Sequence, residues 1–243
     1  MKELYMRLNT LLKATKGDLN IPKTLMNGKN VYPFSIEGDL LAYYLSIGEI
    51  SYKEYLQIKS EYHQRNKYLD LFDMAPRTYG QTWGETHILN LFPEFTKATK
   101  ENLRKLYPAF DGEFDLWLDG IRIEVKACRA NNPNGVGGLS GRAYLRSEAI
   151  ASKFQYHYQQ LKPSCCDVFI WIGTCRDELI YWVLTSEELR KTGELKPQHR
   201  NENTGVAGKE IFEGQVWMTE EQLRPFIVNE SDILEKVREK GKK

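Results

Sequence analysis

Asp115, Glu124 and Lys126 are the residues of this chain whose types and spacing best suit metal-dependent chemistry. Glu124 and Lys126 are two positions apart, so in an extended strand their side chains lie on the same face. Carboxylates supply the hard oxygen ligands that Mg²⁺ prefers, together with waters and substrate phosphate oxygens. An ammonium beside them can orient a water or stabilise negative charge that develops on phosphorus. The three residues therefore indicate metal-assisted hydrolysis of a phosphate ester.

A tight β-hairpin is expected to bring these residues together. Asp119–Gly120 separates two runs that alternate polar and apolar residues, which is the strongest short-range signal for a two-residue type I′ turn. If Leu118 pairs with Ile121, Asp115 lies directly opposite Glu124. Like charges so placed destabilise a strand pair by roughly 0.2–1 kcal/mol, and a bound cation would reverse that cost. The opposite face is the predicted core side, with Leu116, Leu118, Ile121, Ile123 and Val125.

Asp115, followed by Glu124-Val125-Lys126 on the next strand, resembles the motif of the PD-(D/E)xK phosphodiesterase superfamily, which includes type II restriction endonucleases, junction resolvases and repair nucleases. The resemblance covers about 81–185. One departure is that Phe114, and not a proline, precedes the aspartate, although that proline is often missing in the superfamily. The resemblance implies an α/β (α+β) fold with a restriction-endonuclease-like core, in which helices flank a mixed central β-sheet.

The same resemblance implies a cofactor and further site residues. One or two Mg²⁺ ions, for which Mn²⁺ can substitute, would be held by Asp115, Glu124 and the carbonyl of Val125. An acidic residue of the first core helix often joins such a site, and Glu85 occupies that position as a further catalytic and metal-binding candidate. Glu85 also fits a capping box with Thr82, so both interpretations stay open. Cleavage would leave 5′-phosphate and 3′-hydroxyl ends.

The N-terminal third of the chain is predicted to be a separate helical subdomain at 1–75. Apolar residues at helical spacing form two stripes, Leu4, Leu8, Leu11 and Leu12, and then Leu40, Leu41, Tyr44 and Leu45. Ser51 and Glu54 fit a capping box that opens a helix to about Leu69. With the glycine-containing turn before it, this pair has the outline of a helix-turn-helix that could read DNA, dimerise or only pack.

Residues 76–243 form the predicted nuclease domain, with elements in the order of the superfamily core. A connector at 74–80 precedes a helix through about Leu91, and a short strand is predicted at 95–100. A helix is predicted over 147–161, where Phe154, His157 and Tyr158 would share one side. Apolar runs predict strands at 168–172 and 179–184, a further strand covers 214–219, and helices begin near Ser186, Glu220 and Ser231.

Positive charge is concentrated around the predicted hairpin. The net charge is only +1, but residues 120–163 contain seven Lys or Arg and two Glu. The phosphate backbone of double-stranded DNA would have to lie there, and a solvated charged face is the alternative. The glycine-rich stretch 131–141 and the polar stretch 196–213 are predicted loops that could contact DNA. The candidate DNA-binding residues are Arg129, Asn131, Asn134, Arg142, Arg146, Lys153, His199, Arg200, Asn201 and Asn203.

Composition argues against a membrane or secreted protein. No run approaches 18 apolar residues and the first residues do not form a signal-peptide segment, so we expect a cytoplasmic protein without a membrane partner. The four cysteines lack C-x-x-C pairing and a histidine at zinc-ligand spacing. They are expected to be reduced and mostly buried, and they are Cys128, Cys165, Cys166 and Cys175.

The predicted function is that of a Mg²⁺-dependent, sequence-specific DNA endonuclease of the type II restriction kind. A homodimer is expected because one site cuts one strand, and a DNA methyltransferase would be its functional partner in a restriction system. Within the superfamily, a junction resolvase or repair nuclease is the alternative. From another class, the alternative is a DNA-binding module that keeps the fold without turnover, although the complete Asp-Glu-Lys set argues against it.

Overall fold

The computed structural model describes residues 36–198 and 214–242, together with Met6 and Thr10. The chain divides into two compact units between Asp70 and Leu71. The predicted apolar stripe of Leu4, Leu8, Leu11 and Leu12 lies outside the described residues.

The described part of the first unit is a helix pair, α1 (Ile36–Ser46) and α2 (Tyr52–Arg65). Two residues after α1 ends, Gly48 has a φ of +74°, in the left-handed region that glycine adopts without strain. The amides of Gly48 and Glu49 donate to carbonyls of the last turn of α1 in the pattern of a Schellman motif. The sharp turn between the helices is therefore encoded by one glycine.

The predicted capping box of α2 is confirmed. The Glu54 amide donates to Ser51 Oγ at 3.2 Å, and the Ser51 amide donates to the Glu54 carboxylate at 2.9 Å. Apolar residues from both helices and their turn form a small core of their own, which consists of Leu40, Leu41, Tyr44, Ile50 and Ile58. Each helix buries one apolar stripe, as its spacing indicates.

The described part of the second unit contains nine strands. They are β1 (Thr96–Lys97), β2 (Leu116–Leu118), β3 (Ile121–Arg129), β4 (Gln155–Leu161), β5 (Val168–Thr174), β6 (Leu179–Thr185), β7 (Lys196–Pro197), β8 (Gly214–Thr219) and β9 (Ile227–Val228). Six of them form a central sheet in the order β1-β2-β3-β5-β6-β9, and β4-β8-β7 form a second sheet. β3 and β5 are parallel and the other neighbours in the central sheet are antiparallel, so the sheet is mixed as predicted.

Helices and the second sheet cover the two faces of the central sheet. The helices of this region are α3 (Asp70–Asp73), a π-helix (Thr78–Trp83), α4 (Gly84–Leu91), α5 (Arg146–Ala151), α6 (Ser186–Lys191), α7 (Glu220–Leu223) and α8 (Ile233–Gly241). α4 and α8 pack on one face through Ile88, Ile233 and Val237. On the other face Tyr158 of β4 stacks on Trp171 of β5, with ring centroids 4.4 Å apart. Because both faces are covered, β5 is buried along its whole length, and its first five residues are all apolar.

The predicted helix over 147–161 is wrong after its first turns. α5 ends at Ala151, Lys153 turns the chain with a φ of +51°, and β4 begins at Gln155. Tyr156 and Tyr158 are buried and their neighbours face outward, which is the two-residue period of a strand. Packing of these two tyrosines against the central sheet outweighs the helical spacing seen in the sequence.

The segment before α4 also differs from the prediction. The predicted connector at 74–80 is helical from Pro76, and the π-helix that begins at Thr78 runs directly into α4. Thr82 therefore lies inside the helix, no side chain caps α4, and the predicted capping box of Thr82 and Glu85 is wrong. The Glu85 carboxylate is consequently free to pair with Lys97.

The strand predicted at 95–100 is shorter, Thr96–Lys97, and the helix predicted to about Leu69 ends at Arg65. The strands at 168–172, 179–184 and 214–219 and the helices near Ser186 and Glu220 are confirmed, and the helix predicted from Ser231 begins at Ile233. All four cysteines are free thiols, three of them buried, as expected. Among the residues that the structure describes, no helix is both long and apolar enough to cross a membrane.

Candidate active site

The predicted hairpin is confirmed, and its turn is of type I′. Asp119 and Gly120 have φ of +49° and +93°, the positive values that both central residues of this turn require. β2 and β3 pair in the predicted register, with Leu118 opposite Ile121. Because a slip of one residue would move every side chain to the other face, this turn decides where the charged residues lie.

Asp115 lies one residue before β2, where the paired register of the hairpin has ended at Leu116 and Ile123. Its amide donates to the Ile123 carbonyl at 2.9 Å and its carbonyl accepts from the Ala98 amide at 2.8 Å, so the predicted direct pairing of Asp115 with Glu124 is replaced by a bend beside β3. Its side chain does not extend into solvent, because Oδ2 accepts a hydrogen bond from the Val125 amide at 2.8 Å. That bond fixes the half-buried Asp115 carboxylate against β3.

Glu124 and Lys126 form an ion pair on β3 in which Glu124 is buried and Lys126 is half-buried. Lys126 Nζ lies 2.7 Å from Glu124 Oε1, and Glu124 is only 3% exposed. The second carboxylate oxygen, Oε2, is buried and has no hydrogen-bond partner in the described part of the chain. An unsatisfied buried acceptor of this kind costs free energy, so a ligand that satisfies it is favoured.

Burial and neighbouring charges shift the protonation of the pair. Burial raises the pKa of Glu124 to about 7, Lys126 opposes that rise, and the nearby Asp115 carboxylate adds to it. Burial acts to lower the pKa of Lys126, but Glu124 and Asp115 outweigh burial and the pKa is raised. Lys126 therefore keeps its proton, while Glu124 titrates close to neutral pH.

Glu85 reaches this group from α4. Its Oε2 lies 3.3 Å from Lys97 Nζ, next to the hairpin on β1. Burial raises the pKa of Glu85, and repulsion from Asp115 raises it further, against the attraction of Lys97. Glu85 is thus close enough to Asp115 for their charges to interact, and its pairing with Lys97 takes the place of the predicted cap.

A divalent cation fits the Asp115 and Glu124 carboxylates. Within the described ranges, no group of three or more His, Cys, Asp or Glu side chains is arranged to hold a metal. Mg²⁺ requires only one or two protein carboxylates, since waters and substrate oxygens complete its shell. Glu124 Oε2 is the orphaned oxygen that such an ion would satisfy. Asp115 and Glu124 would hold it, and Val125 and Glu85 stay predicted ligands.

Among the predicted DNA-binding residues, Arg129 is directed into the protein. One terminal nitrogen of its guanidinium, Nη1, donates at 2.8–3.1 Å to three carbonyls at the end of α3, those of Leu71, Phe72 and Met74. The guanidinium also lies over the Tyr79 ring, 4.4 Å from its centroid. Burial lowers the pKa of Arg129. These contacts give Arg129 a structural role at the end of α3.

Much of the positive charge around the hairpin is neutralised by ion pairs. Arg146 lies 2.6 Å from both Glu220 and Glu178, although these acids are distant in sequence. The Arg122 guanidinium donates two hydrogen bonds to Asp167, at 3.1 and 2.9 Å. A charge count along the sequence therefore overstates the field that a phosphate backbone would meet here.

The other predicted DNA-binding residues are placed as follows. Asn131 forms a β-bridge with Ala143, Arg142 is half-buried, and Asn134 and Lys153 are exposed. His199, Arg200, Asn201 and Asn203 lie outside the described residues. The assignment of these residues to DNA contacts stays a prediction.

Two lysines join the site from distant segments. Lys97 pairs with Glu85, and Lys162, which follows β4, acts electrostatically on Glu124. No local pattern points to either lysine, because only the folded sheets bring β1 and the end of β4 to the hairpin. Two clefts of about 580 and 590 Å³ are lined by other residues and contain none of the four candidate catalytic side chains.

The chain matches no known protein-family model, no curated protein sequence and no solved structure.

Proposed function

We propose that this chain is a Mg²⁺-dependent endodeoxyribonuclease that hydrolyses phosphodiester bonds in double-stranded DNA, with the restriction-endonuclease-like core that its motif implies. The observation that carries the proposal is the state of Glu124. One of its oxygens is held by Lys126 at 2.7 Å, and the other is buried without a partner among the described residues. Asp115 is held beside it by the Val125 amide and acts electrostatically on Glu124, so the two carboxylates would offer oxygen ligands to a hard cation.

The chain's own residues would divide the work as follows. A divalent ion, when bound, supplies an activated water and neutralises charge on the leaving oxygen. Asp115 and Glu124 hold it, and the Val125 amide fixes the orientation of Asp115. Lys126 lowers the pKa of Glu124 against the effect of burial, and it offers its remaining ammonium protons to a phosphate oxygen or to the attacking water. Glu85, held by Lys97, stands beside Asp115 as a further acidic group.

We further propose that the cleavage is sequence-specific and of the type II restriction kind, carried out by a cytoplasmic homodimer. One Asp-Glu-Lys set cuts one strand, so two copies are needed for a double-strand break. A DNA methyltransferase that protects the same sequence would be the functional partner.

The test is incubation of supercoiled plasmid with the protein and Mg²⁺, followed by sequencing of the ends. A repeated sequence at every end supports restriction, and ends at random positions or at branched substrates support the repair or resolvase alternative.

Glu124→Gln should abolish cutting. Glu187→Gln, which breaks the exposed Glu187–Lys191 pair, is the matched control and should cut normally. Binding without cutting by the wild type would support a DNA-binding module, and no effect of Glu124→Gln on cutting would refute the assigned site.

A further inference from the structure

We propose that the outer face of the second sheet, β4-β8-β7, is the element that reads DNA bases, and that Gln155 and Gln159 of β4 determine sequence specificity by contacting adenine. This inference rests on the proposed function and adds a recognition surface to it.

The sheet has one core face and one amide-rich face. Tyr156, Tyr158, Val216 and Met218 point inward and are buried in the core beneath the sheet. Alternate positions point outward, where Gln155 and Gln159 are exposed and His157 is half-buried. A glutamine side chain can accept from N6 and donate to N7 of adenine, which is the geometry that distinguishes adenine in the major groove. Two-stranded and larger sheets are an established shape for groove readers.

Aromatic rings hold the centre of this face in place. The rings of His157 and Trp217, a cross-strand pair, stack with centroids 4.2 Å apart and an interplanar angle of 14°. His157 Nε2 lies 3.2 Å from Gln215 Oε1, and Gln215 Nε2 donates to the Pro197 carbonyl at 3.2 Å. The outward groups of the three strands are therefore linked and preorganised before any ligand arrives.

A β-bulge turns two neighbouring glutamines outward at the end of β4. The register with β8 shifts between Tyr158 and Leu161, and Gln160 has a φ of +55°. Gln159 and Gln160 are consequently both exposed, which a regular strand would not allow for successive residues. The Gln160 amide is satisfied by Gln198 Oε1 at 2.7 Å, so the bulge is held by a defined contact. Bulges that redirect side chains are typical beside active sites.

The position and charge of the face suit duplex DNA. β4 lies along β3, since the His157 amide donates to Cys128 Sγ at 3.4 Å, and Cys128 is two residues beyond Lys126. β4 ends at Leu161 and is followed by Lys162, whose charge lowers the pKa of Glu124. The strand sequences QYHYQQL, KP and GQVWMT contain no acidic residue, although 33 of the 243 residues are acidic. Duplex DNA on this face would meet no acidic side chain of these strands, and the same duplex would reach the candidate active site.

The test is selection of bound sequences from a random duplex library with Ca²⁺ in place of Mg²⁺, since Ca²⁺ occupies carboxylate sites without the strict octahedral geometry of Mg²⁺. Wild-type protein should enrich a motif that contains adenine. Gln159→Leu or Gln155→Leu should lose roughly tenfold or more of the discrimination at one adenine position, with unchanged affinity for motif-free DNA. Asn90→Leu removes an exposed amide from α4 and is the control that should keep the full motif.

The outcomes separate this inference from the nuclease proposal. If both glutamine variants retain thermal stability and select the wild-type motif with wild-type discrimination, the inference is overturned, whether or not the protein cuts DNA. If the motif relaxes but no cutting occurs with Mg²⁺, the reading face stands and the nuclease proposal fails. If wild-type protein retains no duplex under any condition, both are overturned.

Discussion

Lys126 holds one oxygen of Glu124 at 2.7 Å, and the second oxygen of that carboxylate is buried with no hydrogen-bond partner elsewhere in the described chain. The ammonium makes ionisation of a buried carboxyl feasible, and the second oxygen is left as an acceptor for a cation. Under the proposed function, the protonation state of Glu124 would therefore control binding of a divalent ion.

We expect divalent-cation affinity to fall as the pH drops below about 7. The raised pKa of Glu124, about 7, means that a proton occupies the carboxyl below that pH and must be displaced before an ion binds. Affinity should then fall about tenfold per pH unit below 7 and level off above it. Calorimetric titration with Mn²⁺ across the pH range measures this. Glu124→Gln should bind more weakly and lose the dependence, so an unchanged pH profile in that variant would contradict the assignment.

Lys126→Met should shift the same transition to higher pH. Lys126 lowers the pKa of Glu124, so its removal leaves a buried carboxyl that is protonated at neutral pH. We expect little cation binding at pH 7 and recovery of binding as the pH rises. A Lys126→Met protein that binds as tightly as wild type at pH 7 would show that Lys126 does not keep Glu124 ionised. Lys191→Met, which breaks an exposed pair, is the matched control.

Arg129→Ala should destabilise the protein by about 1.5–3 kcal/mol, because one charged donor satisfies three carbonyls at the end of α3. Chemical denaturation measures the change in free energy of unfolding. Lys153→Ala, at an exposed residue, should leave that free energy within about 0.5 kcal/mol of wild type. Normal stability with weakened DNA binding in Arg129→Ala would instead support the DNA contact predicted from the sequence.

Gly173→Ala should destabilise the core by about 1–3 kcal/mol. A Cβ at this position would lie 2.6 Å from Trp182 and 2.8 Å from Tyr156, and both rings are buried. Thermal melting should therefore show a lower transition temperature. Gly80→Ala, where no atom lies within 4 Å of the added Cβ, is the control and should melt at or above the wild-type temperature. Equal melting of the two variants would mean that the rings can move aside.

The sequence by itself determined the features that depend on local chemistry. Asp119–Gly120 specifies a type I′ turn, because both residues tolerate positive φ, and the two-residue period then places Glu124 and Lys126 on one face of β3. The capping box of Ser51 and the apolar run of β5 can also be predicted from the sequence. The capping box is a contact within four residues, and the apolar run reflects burial on both faces of the sheet.

Only the tertiary structure decided which partners these residues meet. Local spacing favours a helix over 147–161, but buried tyrosines at alternate positions make its second half a strand that covers the central sheet. The pairing of Glu85 with Lys97 and of Arg146 with Glu220 joins residues far apart in the chain. Long-range packing sets these contacts and the burial that raises the pKa of Glu124, and the energy of such packing is not encoded in any short segment.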